Sequence, residues 1–195
     1  MNKTKELIFK SAIKVFSNQG YKGATMDDIA LNAGLAKGTL YYHFKSKEEI
    51  FQFVIREGLN DLRKLAEKIK NSNTDYVSKL IEICKGQLTF LYTFTDLCKV
   101  VMSQIWGNEQ RQENLRKEVR GYIYVLKDLL EEGRLLKKIQ VQNVELMAYQ
   151  IFGTFASAAI YESLNVEKMN SDDITTQTVV FALKGLGINI DKSEI

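Results

Sequence analysis

The sequence predicts an all-α protein. No proline occurs in its 195 residues, the apolar residues recur at helical spacing nearly throughout, and no alternating strand-like run competes with that pattern. With 45% apolar and 26% charged residues, the chain has the balance of a soluble, core-forming protein and the length for one or two small domains. The spacing predicts a three-helix unit over residues 1–47, joined by a long helix to a larger helical domain over residues 48–195.

The first helix carries Ile8, Ala12, Val15 and Phe16 on one face and stops near Asn18-Gln19-Gly20; Tyr21 is expected to pack beneath the unit. A second helix starts behind Thr25, an N-cap whose hydroxyl can accept a backbone N–H, and buries Met26, Ile29, Ala30 and Ala33 at i, i+3, i+4 and i+7. Gly34 ends it, since glycine takes a left-handed turn without a Cβ penalty. In the third helix Ala36, Leu40 and Phe44 face inward, leaving Lys37, Gly38, Thr39, Tyr41, Tyr42 and His43 on or beside the outer face.

Ser46 with Glu49 forms a capping box that opens a long fourth helix. Its stripe of Ile50, Phe51, Val54, Leu62, Ala66 and Ile69 runs to Asn71-Ser72-Asn73. Thr74 or Asp75 caps the next helix, which carries Leu80, Ile83 and Cys84, with a turn within residues 90–94 and a break at Gly107-Asn108 after Trp106. Residues 114–134 form another helix with Leu115, Val119, Tyr122, Leu126 and Leu129 inward, ending at Gly133. Asn143 caps a helix to about Leu164. Ser171, Asp172 and Asp173 open the last, which closes near Gly185–Gly187.

Residues 25–44 carry the chemistry. Two short helices meeting at a glycine form a helix-turn-helix. Lys37 can neutralise a phosphate, Thr39 and the tyrosine hydroxyls can donate to phosphates or base edges, and Gly38 permits close backbone approach. The flanking residues Phe16, Gly20-Tyr21, Ala24-Thr25, Ile29-Ala30, Ala33-Gly34, the run Lys37 to Phe44 and Lys45 to Ile50 resemble the DNA-binding domain of the tetracycline-repressor (TetR) family. The resemblance covers the first third of the chain.

It implies a phosphate contact from Thr25, DNA contacts from Lys37, Gly38, Thr39, Tyr41, Tyr42 and His43 on the recognition helix, and a further contact from Lys47. Ala36 departs from the serine common there, so a hydroxyl that could cap the recognition helix is missing. The resemblance further implies a homodimer on a palindromic operator in double-stranded DNA, with the last two helices of each chain pairing. Ala148, Phe152, Phe155, Ala156, Ala159, Val179 and Leu183 are the expected dimer residues, although the small residues of that helix serve packing within one chain equally well.

Charge agrees with this placement. Residues 1–50 hold eight lysines against five acidic residues, whereas residues 51–195 hold nineteen of each sign. Cys84 and Cys98, with no Cys-x-x-Cys pair, indicate neither a disulfide framework nor a zinc cluster, which fits a reducing cytosol. No signal core opens the chain and no apolar stretch approaches ~20 residues, so the expected location is cytoplasmic and no membrane partner is expected.

An enzyme would need an acid–base or ligand constellation. The single histidine, His43, lies in the DNA-facing motif and no phosphate loop or nucleophile elbow occurs, so no catalytic residue, cofactor or metal is expected. A small apolar or aromatic effector could lodge among Tyr92, Phe94, Met102, Trp106, Tyr122 and Phe152, with Asp96, Lys99 or Arg111 at the mouth. The expected function is a ligand-responsive repressor released from its operator by that effector. A constitutive DNA-binding or protein-interaction module of the same fold, and an activator, share the same residues.

Overall fold

The computed structural model describes residues 1–165, 171–191 and 195, and among the described residues every regular element is a helix. The order is α1 (Lys3–Gly23), α2 (Met26–Asn32), α3 (Lys37–His43), α4 (Lys47–Lys70), α5 (Tyr76–Thr93), α6 (Thr95–Gln104), α7 (Gln110–Leu135), α8 (Val144–Leu164) and α9 (Ser171–Gly185). No helix among the described residues is long and apolar enough to cross a membrane.

Local chemistry sets these limits. Asn2 caps α1 by accepting the Lys5 N–H at 2.8 Å, and the helix is interrupted at Gly20, where φ is 69°. The expected stop is therefore a kink, with the helical turn resuming to Gly23. Gly34 follows α2 with φ 65°, and the Leu35 N–H returns to the Ala30 carbonyl at 3.0 Å, which closes the turn into α3. Ser46 accepts the Glu49 N–H at 3.1 Å, but the Glu49 carboxylate takes the Lys45 N–H at 2.7 Å, so only half of the expected capping box forms. Asp75, not Thr74, caps α5 through the Val77 and Ser78 N–H groups at 3.0 and 3.1 Å. Phe94, at φ −116° and ψ 43°, separates α5 from α6.

The start of α7 precedes its expected position because Gln112 folds back to accept the Glu109 N–H at 3.0 Å, a polar cap that apolar spacing does not register. Nor does α7 stop at Gly133. The Tyr76 ring occupies the place a Cβ would take there, so that glycine serves close packing, and the chain turns instead at Lys137, with φ 56°. Asn143 caps α8 by accepting the Leu146 N–H at 2.9 Å. The side chain of Ser171 lies outside the described residues.

The packing forms two units. Residues Met1–Asp61 with Phe94–Val119 make the first, and Leu62–Thr93 with Arg120–Ile195 the second, so α4 and α7 each contribute to both. The boundary expected after residue 47 follows the motif; by packing, the early turns of α4, all of α6 and the start of α7 belong with the three-helix unit.

In the first unit α1 packs on α2 and α6, and α2 on α3. Its core is aromatic: Phe51 meets Phe16 and Tyr21 with centroids 5.7 and 5.1 Å apart, and Phe44 meets Phe53 at 4.9 Å. In the second unit α5 packs on α8 and α9, and α8 on α9. There Gln87, with no exposed surface, accepts the Tyr122 hydroxyl at 2.8 Å and donates to the Phe152 carbonyl at 3.1 Å. Burial pushes the Tyr122 hydroxyl well above its ordinary pKa, so it stays protonated and keeps donating.

Candidate functional site

The α2–α3 surface is built from below. Leu40 and Phe44 bury the inner side of α3, and Ile29 and Ala30 that of α2, which fixes both helices while their outer residues stand at the surface. Ala36 is the exception to the expected inward set: as the N-cap of α3 it stands exposed, and it makes no side-chain cap bond. Tyr42 is 79% exposed, Tyr41 45%, Lys37 and Gly38 are exposed, and Thr39 and His43 half-buried. The His43 ring lies edge-on to Tyr42 at 5.2 Å. A Cβ at Gly38 would meet open space, so the backbone there is approachable. Large exposed aromatics beside a lysine present stacking faces, hydroxyl donors and a charge on one short helix.

Thr25 and Lys47 are placed differently from the other expected contacts. The Thr25 hydroxyl accepts the Asp28 N–H at 3.1 Å and donates to the Asp28 carboxylate at 2.6 Å, while the Thr25 N–H donates to that carboxylate at 3.0 Å. The reciprocal capping box is complete, and donation to a phosphate would require the hydroxyl to release Asp28. Lys47 donates to the Ala24 and Lys22 carbonyls at 2.7 and 3.3 Å, with its ammonium 4.7 Å from the Tyr21 ring centre. It straps the start of α4 to the C-terminal end of α1.

Two residues of this unit carry weight that apolar spacing does not convey. Asp27, in the first turn of α2, lies 2.6 Å from the Lys37 ammonium; opposite charges on the facing ends of two short helices are the signal for it. Arg111, expected at a pocket mouth, is 4% exposed, stacks 4.1 Å from the Tyr21 ring centre, and holds Gln104 at 2.9 Å and Glu109 at 3.1 Å. Asp96 and Lys99, the other expected mouth residues, pair with each other on the surface of α6 at 3.3 Å.

Of the expected effector residues, Tyr122 and Phe152 come together with centroids 6.1 Å apart. Tyr92 is half-buried; desolvation first, and Glu162 second, push its hydroxyl up to about 12. Phe94 is half-buried at the α5–α6 break, and Met102 is 39% exposed on α6. Trp106 is not an interior wall: it is 84% exposed because Arg116 donates to the carbonyls of Ile105 and Gly107, at 3.1 and 2.7 Å, and fixes the loop on either side of it. Burial raises the Cys84 and Cys98 thiols to about 12 and about 11, far from the range of an activated nucleophile.

The expected dimer residues divide by burial. Ala148, Phe155, Val179 and Leu183 are fully buried within the chain and have no surface to offer a partner; Ala148 serves packing of α8 inside its own unit. Phe152, Ala156 and Ala159 are half-buried. The exposed strip of the same two helices is Tyr149, Gly153, Ser157, Ile160, Tyr161 and Leu164 on α8 with Phe181 on α9. Thr154, Ser157 and Phe181 line both of two adjoining grooves there, of about 540 and 590 Å³. The apolar and small residues spread around α8 hide which face is outward; only packing on α5 and α9 decides it.

Residues 8–54 match the family described as bacterial regulatory proteins, tetR family. The chain is 25% identical to the fatty acid metabolism regulator protein of Bacillus subtilis, over 92% of this chain and 93% of that one. Among solved structures it is 39% identical to a Clostridium perfringens protein provisionally named a fatty acid metabolism regulator, covering 95% of this chain and 100% of the other with a TM-score of 0.88. The crystal structure of the Bacillus subtilis transcriptional regulator FadR in complex with stearoyl-CoA shares the fold, at 24% identity and a TM-score of 0.80, over 92% and 98% of the two chains.

Proposed function

The chain belongs to the tetR family of bacterial regulatory proteins, and from that premise we propose that it is a repressor that holds a palindromic operator as a homodimer and lets go when it binds a long-chain fatty acyl thioester. The exposed Lys37–Tyr41–Tyr42 face of α3 carries the DNA half of this reading. That helix is short and seated on a buried Leu40, and its most exposed ring, Tyr42, lies against His43. Two such helices on a two-fold axis would enter successive major grooves about 34 Å apart. The apolar strip of α8 and α9 would supply the pairing surface, with Phe181 and Tyr161 at its centre.

The effector half rests on the relatives. The Bacillus subtilis relative is a fatty acid metabolism regulator, and a FadR of the same fold was crystallised with stearoyl-CoA. An acyl chain also agrees with the apolar effector expected from the sequence. Release follows from linkage: a ligand that prefers the conformation with the wrong spacing between recognition helices lowers operator affinity by the ratio of its two affinities.

The test is fluorescence anisotropy on a duplex selected by the protein from a random library, titrated with stearoyl-CoA and, separately, with free coenzyme A. A coupling of about 1–3 kcal/mol predicts a roughly 5- to 150-fold loss of affinity with the acyl thioester and little with coenzyme A. Equal effects of the two would reject the acyl chain as the signal. Failure to select any duplex would reject DNA recognition itself.

A further inference from the structure

Lys37 opens α3, and its ammonium is held 2.6 Å from the carboxylate of Asp27 on α2. The pair joins the two helices of the motif across ten residues of sequence, and both side chains are more than half exposed, at 67% and 53%. Nothing in the core therefore fixes either one; the partner does. The bridge also raises the Lys37 pKa, first through the hydrogen bond to Asp27 and then through its charge.

An unpartnered lysine on a DNA-facing surface is a compact point charge on a flexible stem that takes the nearest phosphate of any duplex. Such contacts add affinity without sequence information. A carboxylate at hydrogen-bond distance removes one of the three donors, neutralises the charge and itself repels phosphates. Resting on the assignment of α3 as the DNA-contacting helix, we propose that Asp27 is a specificity-determining residue: by tethering Lys37 it suppresses indiscriminate phosphate binding and widens the gap between operator and random DNA.

The test is a double-mutant cycle, Asp27→Asn, Lys37→Ala and both together, in the full-length protein. Affinities are measured by fluorescence anisotropy from 50 to 300 mM KCl, on a duplex selected by the wild-type protein and on a scrambled duplex of equal length. Each freed lysine that gains a phosphate steepens the dependence of log K on log salt by about 0.9. Taking 1 M as the reference, that is about eightfold tighter binding at 0.1 M salt per lysine.

Asp27→Asn frees one lysine in each protomer, so it is expected to tighten the scrambled duplex by about that factor per protomer, roughly 60-fold for the dimer at 0.1 M salt, and the selected duplex by less, narrowing their ratio. In the Lys37→Ala background the change in slope should vanish. The following results overturn the inference. Equal tightening of both duplexes, or the same slope change with and without Lys37, would mean that removing a negative charge acts generally and not through the tether. Should Lys37→Ala alone leave both affinities unchanged, Lys37 does not touch DNA, and the assignment of α3 falls together with the inference. A weakened Lys37→Ala variant with no coupling to Asp27 removes the inference alone.

Discussion

In the first unit Phe16, Tyr21 and Phe51 interlock ring against ring, with polar groups such as Lys37, Tyr42 and Thr25 left at its surface, whereas in the second unit Gln87 is entirely buried and satisfied by Tyr122 and the Phe152 carbonyl. The aromatic core makes a stiff platform from small helices, since seven residues of α3 cannot hold their own shape without packing. The buried amide specifies something else: one arrangement of α5, α7 and α8, because any slip leaves a polar group unpaired in an apolar surrounding. One unit fixes an outer surface and the other fixes an interior.

Truncation should separate the two designs. Phe51→Ala removes the ring at the centre of the head cluster and should cost about 3–5 kcal/mol, read by urea denaturation, with the loss of DNA binding following the loss of fold. A cost below 1 kcal/mol would mean that the cluster is not what supports α3. In the second unit Tyr122→Phe leaves the Gln87 carbonyl oxygen without its donor and should cost about 1–3 kcal/mol. Pairing it with Gln87→Leu should recover much of that cost, since removing both partners leaves no buried amide unpaired and the Phe152 carbonyl lies within the helical ladder of α8; additive losses in the cycle would deny that the two act as one network.

Gly133→Ala drives a methyl into the Tyr76 ring and should destabilise by about 1–3 kcal/mol, recovered in part by Tyr76→Leu. A neutral Gly133→Ala would show that α5 and α7 are looser there than the packing indicates. The smallest stability effect belongs to the outer face. Lys37→Ala and Tyr42→Ala should each stay within about 0.5 kcal/mol of the parent in thermal unfolding, yet weaken the selected duplex. If they unfold the head instead, their exposure misrepresents their role.

The same contrast explains what could be read from the sequence. The helix-turn-helix was legible because its signals are local: a capping threonine, a glycine at a required positive φ, and polar aromatics outside a Leu40–Phe44 stripe. The strap made by Lys47 was not legible, because its carbonyl partners, Lys22 and Ala24, lie more than twenty residues away and carry no sequence mark. On α8 apolar and small residues recur on every side, so periodicity cannot distinguish Phe155, buried, from Tyr161, exposed; the partners α5 and α9 make that choice. Trp106 was expected in a pocket wall because it joins a large apolar body to a polar tip, and the arginine that fixes its loop, Arg116, is ten residues further on.

Methylation interference on the selected duplex distinguishes paired α3 helices from other modes of binding, because dimethyl sulfate marks guanine N7 in the major groove and adenine N3 in the minor groove. Two α3 helices on a two-fold axis predict two clusters of interfering guanines about one helical turn, roughly 10 base pairs, apart, both weakened by Tyr42→Ala. A single cluster, or interference confined to minor-groove adenines, would contradict the pairing of two α3 recognition helices on the operator.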